Sequence, residues 1–457
     1  MRAELRLALL LTRGSNRREW WRVVLTTTGA VMATGIGLVI VVLVPMDGHH
    51  DVGVGSGLLD EPGTRGGVII ALMLLLIPVF GFLGQCARIG AVHRDRRLAA
   101  LRLAGATPAQ VRRIAALETG PACLAGSSVT TVFSVLLLLR LWQRPEPWAW
   151  AGMAVVAVLV PVLGAAVSVL ALRRVVASPL GRLRRVRPTA GPGRAFQVAT
   201  GLLGLPAVLV AMTPLTGDPF EFAVVGFALG PLTVFALCLL VGATAVWLAG
   251  FSSWWLGRVL ATRVQRPALL IAAERLYDDP WAASRTHGAV LLVTVVSTGF
   301  VGVRQTLLAD LEASRRMGRL GMDMSYYTNG IELTAAAILV ALAIVLTGLA
   351  VGTAESLATR RRGLAAQNAA GVPHGVLARA LLLETALPLA CAVTVAGIGG
   401  MAIGVWYASL TTEHTVPDVP YVALLVPLAV YGACMLAAAT ALPLLRRSVR
   451  PAELRFA

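Results

Sequence analysis

The side chains that could do chemistry are few and scattered along the 457 residues. The histidines are His49, His50, His93, His287, His374 and His414. Only His49-His50, flanked by Asp47 and Asp51, is compact enough to suggest a metal site. Four polar residues in a loop between apolar runs are equally a solvated turn, and we read them so. Cys86, Cys123, Cys238, Cys391 and Cys434 each fall in an apolar stretch without a CxxC spacing, the habit of packed free thiols. Lysine is absent, so all 40 basic residues are arginine. A Walker A loop needs a lysine to reach the nucleotide phosphates, so any ATPase must be a separate polypeptide. Glu118 and Glu384 lie just inside apolar runs, where a carboxylate is costly unless paired. The expected partners are Arg112 or Arg113 for Glu118 and Arg379 for Glu384. A proton or ion path is the functional alternative, but no second acid falls within a span to make a relay. The chain is therefore expected to hold no catalytic, cofactor or metal site of its own.

The elements that carry these residues are apolar. Hydrophobic residues make up 57% of the chain and charged ones 14%, with a mean hydropathy of +0.77. A soluble core cannot hide so much apolar surface, and lipid is the natural solvent. A spanning helix needs roughly 20 apolar residues. Ten runs qualify, near 23–45, 67–87, 117–139, 150–172, 196–214, 222–248, 287–303, 332–354, 380–405 and 421–444. The fifth is interrupted by Pro206 and Pro214. With both termini cytoplasmic, only Arg65, Arg140, Arg144, Arg304, Arg315, Arg316 and Arg319 fall outside, and every other arginine falls inside. That asymmetry follows the positive-inside rule and accounts for the net charge of +17 without nucleic acid. The outer loops are short, and the longest, about 46–66 and 304–331, cannot fold into a substantial domain. The second opens with a helical sequence from Arg304 that could carry the seventh span beyond the membrane.

A repeat organises the spans. At an offset of 266, RDRRLAALRLAGATPAQVRRIAALET (94–119) aligns without gaps on RRRGLAAQNAAGVPHGVLARALLLET (360–385), with 11 of 26 positions identical. The identities include Gly105/Gly371, Arg113/Arg379 and Glu118/Glu384. Each copy lies between the second and third spans of its half. The halves share a plan: residues 5–37 and 269–300 each feed an amphipathic helix into a span, and the closing spans end in Leu172-Arg173-Arg174 and Leu445-Arg446-Arg447. The division is a cytoplasmic amphipathic helix (1–22), a four-span unit (23–177), a basic linker with two linking spans (178–266), and a second four-span unit with its own amphipathic helix (267–457). This is an all-α polytopic membrane protein built as a parallel repeat. Within each copy, Gly105 or Gly371 can end a short helix. Thr107-Pro108 then offers a cap and a first-turn proline for the next helix. In the second copy Pro373 is expected to restart the helix one position earlier. The product is a stiff corner on the cytoplasmic face of each half.

The string RRLAALRLAGATPAQVRRIAALE resembles the signature of FtsX-like permease domains of ATP-binding-cassette (ABC) transporters, in which charged residues precede a Leu-Arg-x-x-Gly-Ala-(Ser/Thr) corner and a following Glu. The second copy departs from it at Gln367-Asn368 and Gly371-Val372-Pro373. Ten spans resemble the bacitracin-export-type permeases. Those, like the macrolide-exporter (MacB) and lipoprotein-release types, carry a large extracellular domain that this chain lacks. The resemblance implies a permease docked on an ABC ATPase, two copies per chain, with ATP and Mg on that partner and none here. It implies coupling elements at Arg94–Thr107 and Arg360–Pro373. Arg97, Arg102, Gly105 and Ala106 would serve in the first, and Arg362, Gly363, Asn368 and Gly371 in the second. Glu118, Glu384, Arg113 and Arg379 would be structural at the membrane edge. The implied location is the inner membrane of a bacterium, among its lipids. The small outer loops and apolar span faces suit an amphipathic cargo, such as an antimicrobial peptide, a drug or a lipid-like molecule, exported or extracted laterally. A signalling permease that moves without passing cargo shares every one of these features. A secondary transporter would need ionisable residues at mid-span, and an intramembrane enzyme would need a nucleophile, metal ligands or paired acids.

Overall fold

The computed structural model describes residues 17–46, 48, 59–60, 62–88, 103–141, 147–171, 198, 200–202, 208, 219–319, 323–411 and 420–448. These residues form helices, and no strand occurs among them. In chain order the helices are α1 (Arg17–Leu43), α2 (Pro62–Arg88), α3 (Pro108–Leu141), α4 (Pro147–Ala171), α5 (Pro219–Arg263), α6 (Pro267–Asp278), α7 (Trp281–Arg316), α8 (Met324–Thr359), α9 (Arg361–Ala369), α10 (His374–Thr411), α11 (Leu425–Ala439) and α12 (Leu442–Ser448), with a 3₁₀ turn at Tyr421–Leu424 before α11.

Nine of the described segments are long and apolar enough to cross a membrane. They match nine of the ten runs read from the sequence. The tenth, 196–214, lies almost wholly outside the described residues, as do His49, His50, Asp47 and Asp51. The helix is obligatory here, because hydrocarbon offers nothing to bond a free N–H or C=O. Several buried hydroxyls of α7 follow the same rule. Thr294 donates to the carbonyl of Val290 at 2.9 Å, Ser297 to that of Val293 at 2.6 Å and Thr298 to that of Thr294 at 2.7 Å. A hydroxyl satisfied one turn back within its own helix costs the bilayer little. The helices overrun the apolar runs that mark them. α7 and α8 have 36 residues each. At 1.5 Å per residue each is about 54 Å long, against a hydrocarbon core of ~30 Å. The extension expected from Arg304 is present, and α7 continues to Arg316.

α6 differs from the spans. Proline at its first position starts it, and only Ala272, Ala273 and Leu276 are buried. It crosses α5 at Gly257, where a Cβ would lie 2.7 Å from the backbone nitrogen of Tyr277 and 2.9 Å from the carbonyl of Ala273. That backbone-to-backbone approach sets α6 firmly on the end of α5.

Packing follows the repeat. α1 lies against α2, α3 and α4, and α7 lies against α8, α10 and α11. The first core gathers Ala30, Val79, Phe82, Cys123, Met153 and Val160. A second core gathers Ala245, Val290, Val295, Leu349, Leu389 and Val430. Between them α2 packs on α8, its counterpart at the 266 offset. Ile344 of α8 joins the first core, while Leu74 and Leu75 of α2 lie against the second. The two halves are thus stitched through their second helices. The tightest crossing joins α7 to α10, where a Cβ on Gly400 would fall among the backbone of Val295 and one on Gly404 would lie 2.7 Å from the carbonyl of Gly299. Small residues that let backbones touch are the usual way helices associate in lipid, where no hydrophobic force separates helix from solvent.

Candidate functional site

The repeated corners form as their residue types dictate. Gly105 has φ +97° and Gly371 φ +93°. Both lie in the left-handed region, where a Cβ meets the following carbonyl and glycine alone is comfortable. After Gly105 the chain enters α3 through a capping box. The Thr107 hydroxyl accepts from the Gln110 N–H at 3.3 Å, and the Gln110 side chain accepts from the Thr107 N–H at 2.8 Å. At the second corner α9 closes with a Schellman pair. The N–H of Val372 donates to the carbonyl of Gln367 at 3.1 Å, and that of Gly371 to the carbonyl of Asn368 at 2.9 Å.

The helix start expected at Pro373 falls one residue later. Pro373 does not restart the helix early. α3 starts at Pro108 and α10 at His374, which are equivalent positions at the 266 offset. Pro373 occupies the place of Thr107: the Leu377 N–H bonds the Pro373 carbonyl as the Val111 N–H bonds that of Thr107. Proline has the backbone acceptor but no side-chain cap, so the second corner keeps the backbone path and loses the capping box.

The corners rest on firm bases. Val111 and Ile114 are buried at the foot of α3. Under the second corner Leu357, Leu364, Leu377, Leu381, Ala441 and Leu445 form a separate apolar cluster, joined by Ile271 from α6 and by Val372. The surface above is mostly polar or small, with Leu103 exposed beside the first corner. Gly105, Arg362, Gly363 and Gly371 are exposed, and Ala106 and Asn368 are half-buried. Arg97 and Arg102 lie outside the described residues, and so does the side chain of Glu118; Arg113 is exposed.

Glu384 is held from two sides. One carboxylate oxygen accepts from Arg360 at 2.6 Å and the other from Arg275 at 3.2 Å. Its side chain is 17% exposed. Pairing of this carboxylate was expected, but with Arg379. The structure places Arg379 on an exposed position and supplies Arg275 and Arg360 instead. The reason is geometric. On a helix, residues five apart point to different faces, whereas neighbouring helices can present a guanidinium directly. Arg360 sits at the junction of α8 and α9, and Arg275 sits on α6. The triad therefore ties α6, the α8–α9 junction and α10 into one block beneath the corner. Arg275 was not legible as a site residue: it lies 109 residues from Glu384. Arg360 was already visible as an identity in the repeat.

Among the described residues no group of His, Cys, Asp and Glu is placed to hold a metal ion. Both corners are exposed at their glycines, and the second stands on a charge-tied base. Residues 67–177, comprising α2, the first corner, α3 and α4, match the family model of the FtsX-like permease C-terminal domain. Over that segment the chain is similar to FtsX-like permeases. The match supports an FtsX-like ABC transporter permease, a multi-pass membrane subunit. No curated protein matches the chain. The second corner lies beyond the matched FtsX-like segment and is tied to it by the internal repeat.

Proposed function

We propose that this chain is the membrane subunit of an ABC exporter, and that its two corners take up the motion of a pair of separate ATPase subunits. The observation that carries the reading is the doubled left-handed glycine. Gly105, inside the FtsX-like segment, and Gly371, at the equivalent place in the second half, give one chain two similar docking corners. An ATPase pair has two-fold symmetry, and two equivalent corners meet two equivalent surfaces. ATP and Mg belong to that partner, since the chain has no lysine for a phosphate loop. The arginine distribution supports a topology with the corners and both termini on the cytoplasmic side, and the reading sets the chain in a bacterial inner membrane.

The charge-tied base suits the role. Displacement of α9 is passed at once to α8, α10 and α6, because Glu384 and the apolar cluster leave them little freedom to slide. The cargo class follows from the remaining surface, apolar span faces with short outer loops, which favours an amphipathic molecule taken laterally from the lipid. The test is co-purification from the native membrane in mild detergent. Recovery of an ABC ATPase at two copies per chain, with hydrolysis stimulated by an amphipathic peptide or drug, is the expected result. A chain that returns without an ATPase and drives uptake from a proton gradient contradicts the reading.

A further inference from the structure

α3 and α10 start at equivalent positions, but their neighbours hold them differently. α3 is fastened at one level. The Thr27 hydroxyl of α1 donates to the Ala122 carbonyl at 3.3 Å, and a Cβ on Gly126 would lie 2.7 Å from the Thr27 carbonyl oxygen. Toward α4, the Ser127 hydroxyl donates to the Ala157 carbonyl at 2.9 Å, and Gly164 receives the Cys123 sulfur. These contacts fall within residues 122–127. Pro121 stands directly before them and removes one backbone hydrogen bond, so the helix bends most easily at the same level.

α10 is fastened farther from its corner and on three sides. Gly400 and Gly404 touch the backbone of α7, Gly397 receives Pro427 of α11, and Gly399 receives Val241 of α5. At the 266 offset Gly126 corresponds to Ala392, and Gly400 and Gly404 lie 8 and 12 residues beyond it. Along a helix that is about 12–18 Å.

The far arm of α3, residues 128–141, lacks such seats. Phe133 and Leu137 are 66% and 47% exposed. Their equivalents are Gly399, filled by Val241, and Ile403, which is 7% exposed in the second core. Exposure alone would mark only a lipid-facing helix. The hydroxyls separate the two cases. Thr34 lies seven residues after Thr27, on the same face of α1. It is fully buried, and its hydroxyl has no hydrogen-bond partner among the described residues. Thr131, four residues after Ser127, has a buried hydroxyl in the same state. Thr298, which matches Thr34 in the second half, bonds the Thr294 carbonyl. Packing thus leaves polar groups unsatisfied just beyond the fastening of α3. The wall behind that arm is closed: Gly37 of α1 receives Val156 of α4, and Gly152 of α4 receives Val41 of α1.

We propose that α3 is a gate helix. Its far arm swings about Ala122–Ser127, away from the fixed α1–α4 wall, and opens the first half laterally while the second half stays shut. This rests on the reading of the chain as a permease moved at its corners, and it names the half through which an amphipathic molecule passes. With the corners cytoplasmic, the opening faces the outer leaflet. The gap presents the Thr34 and Thr131 hydroxyls to the polar part of the cargo, and the apolar face of α3 to the rest.

Pulsed EPR on spin labels at equivalent places tests the gate. One pair is Val39→Cys with Leu136→Cys, the other Val303→Cys with Ala402→Cys, both in a Cys391→Ser chain whose remaining cysteines are buried. In the full chain alone, in lipid nanodiscs, the first pair gives a broad distance distribution and the second a narrow one. In the complex with its co-purified ATPase, ATP trapping shifts the first distance by about 5 Å or more, against the ~1–2 Å of ordinary helix shifts, and leaves the second in place. Equal widths in the chain alone overturn the proposal, as do equal shifts in both halves or an unmoved first pair in a complex that hydrolyses ATP. Failure to recover an ATPase defeats the reading of function instead, and the widths in the chain alone still decide for or against the loose arm.

Discussion

Glu384 shows how a single carboxylate survives at a membrane edge. Two guanidiniums from different helices share it, so its charge is over-matched. Replacing it with Gln leaves Arg275 and Arg360 facing each other across a half-buried gap. Hydrogen bonds to charged groups are worth roughly 1.5–3 kcal/mol, and Glu384→Gln is expected to lower stability by about that much. Arg379→Gln is expected to stay within about 0.5 kcal/mol, as an exposed substitution does. Thermal unfolding of the purified variants, with a double-mutant cycle against Arg275→Gln, separates the two partners. A large loss at Arg379 and none at Arg275 would restore the sequence-based pairing. The carboxylate and its need for partners were legible, because a lone acid in an apolar run is conspicuous. The partners were not. Sequence offers only neighbours on the same helix, and Arg275 reaches Glu384 through the packing of α6 against α10.

At the scale of elements, the spans were readable because lipid forces every backbone group into a helix and every outward face to be apolar. Their lengths were read short: α10 starts at His374, well before the apolar run at 380, since the corner starts the helix before the membrane does. The corners themselves were legible from Gly105 and Gly371. The equality of their helix starts was not, because Pro373 looks like a first-turn residue and acts as a cap position. The corner's cost is purely in its backbone. A Cβ at Gly371 or Gly105 meets nothing within 4 Å, so strain comes from φ alone. Gly371→Ala and Gly105→Ala should each destabilise by about 1–2 kcal/mol, and Gly371→Val by more. Gly371→Asn should recover most of the loss, because Asn tolerates the left-handed region. Thermal inactivation midpoints in the order Gly, Asn, Ala, Val check this. An order set by side-chain volume instead would mean that the corner is packed against something.

For the whole molecule, the repeat is the organising fact. α1 packs on α2, α3 and α4, α7 packs on α8, α10 and α11, each half has a corner with a left-handed glycine, and α2 meets α8, which lies at the 266 offset. Sequence gave that duplication through the short ungapped match, while the seam could come only from packing, since nothing in Ile344 or Leu74 marks it as inter-unit. Both corners are the proposed contact surface for an ATPase, and crosslinking tests that directly. Cys86, Cys123, Cys238 and Cys434 are buried and Cys391 can be replaced, so single cysteines can be placed at Ala106 and Gly363 in membranes that retain the native partner. A short bifunctional reagent should then join each position to an ATPase chain, with the yield at both sites changing between ATP-free and ATP-trapped states. Crosslinks absent at both corners, in a complex that still hydrolyses ATP, would contradict the claim.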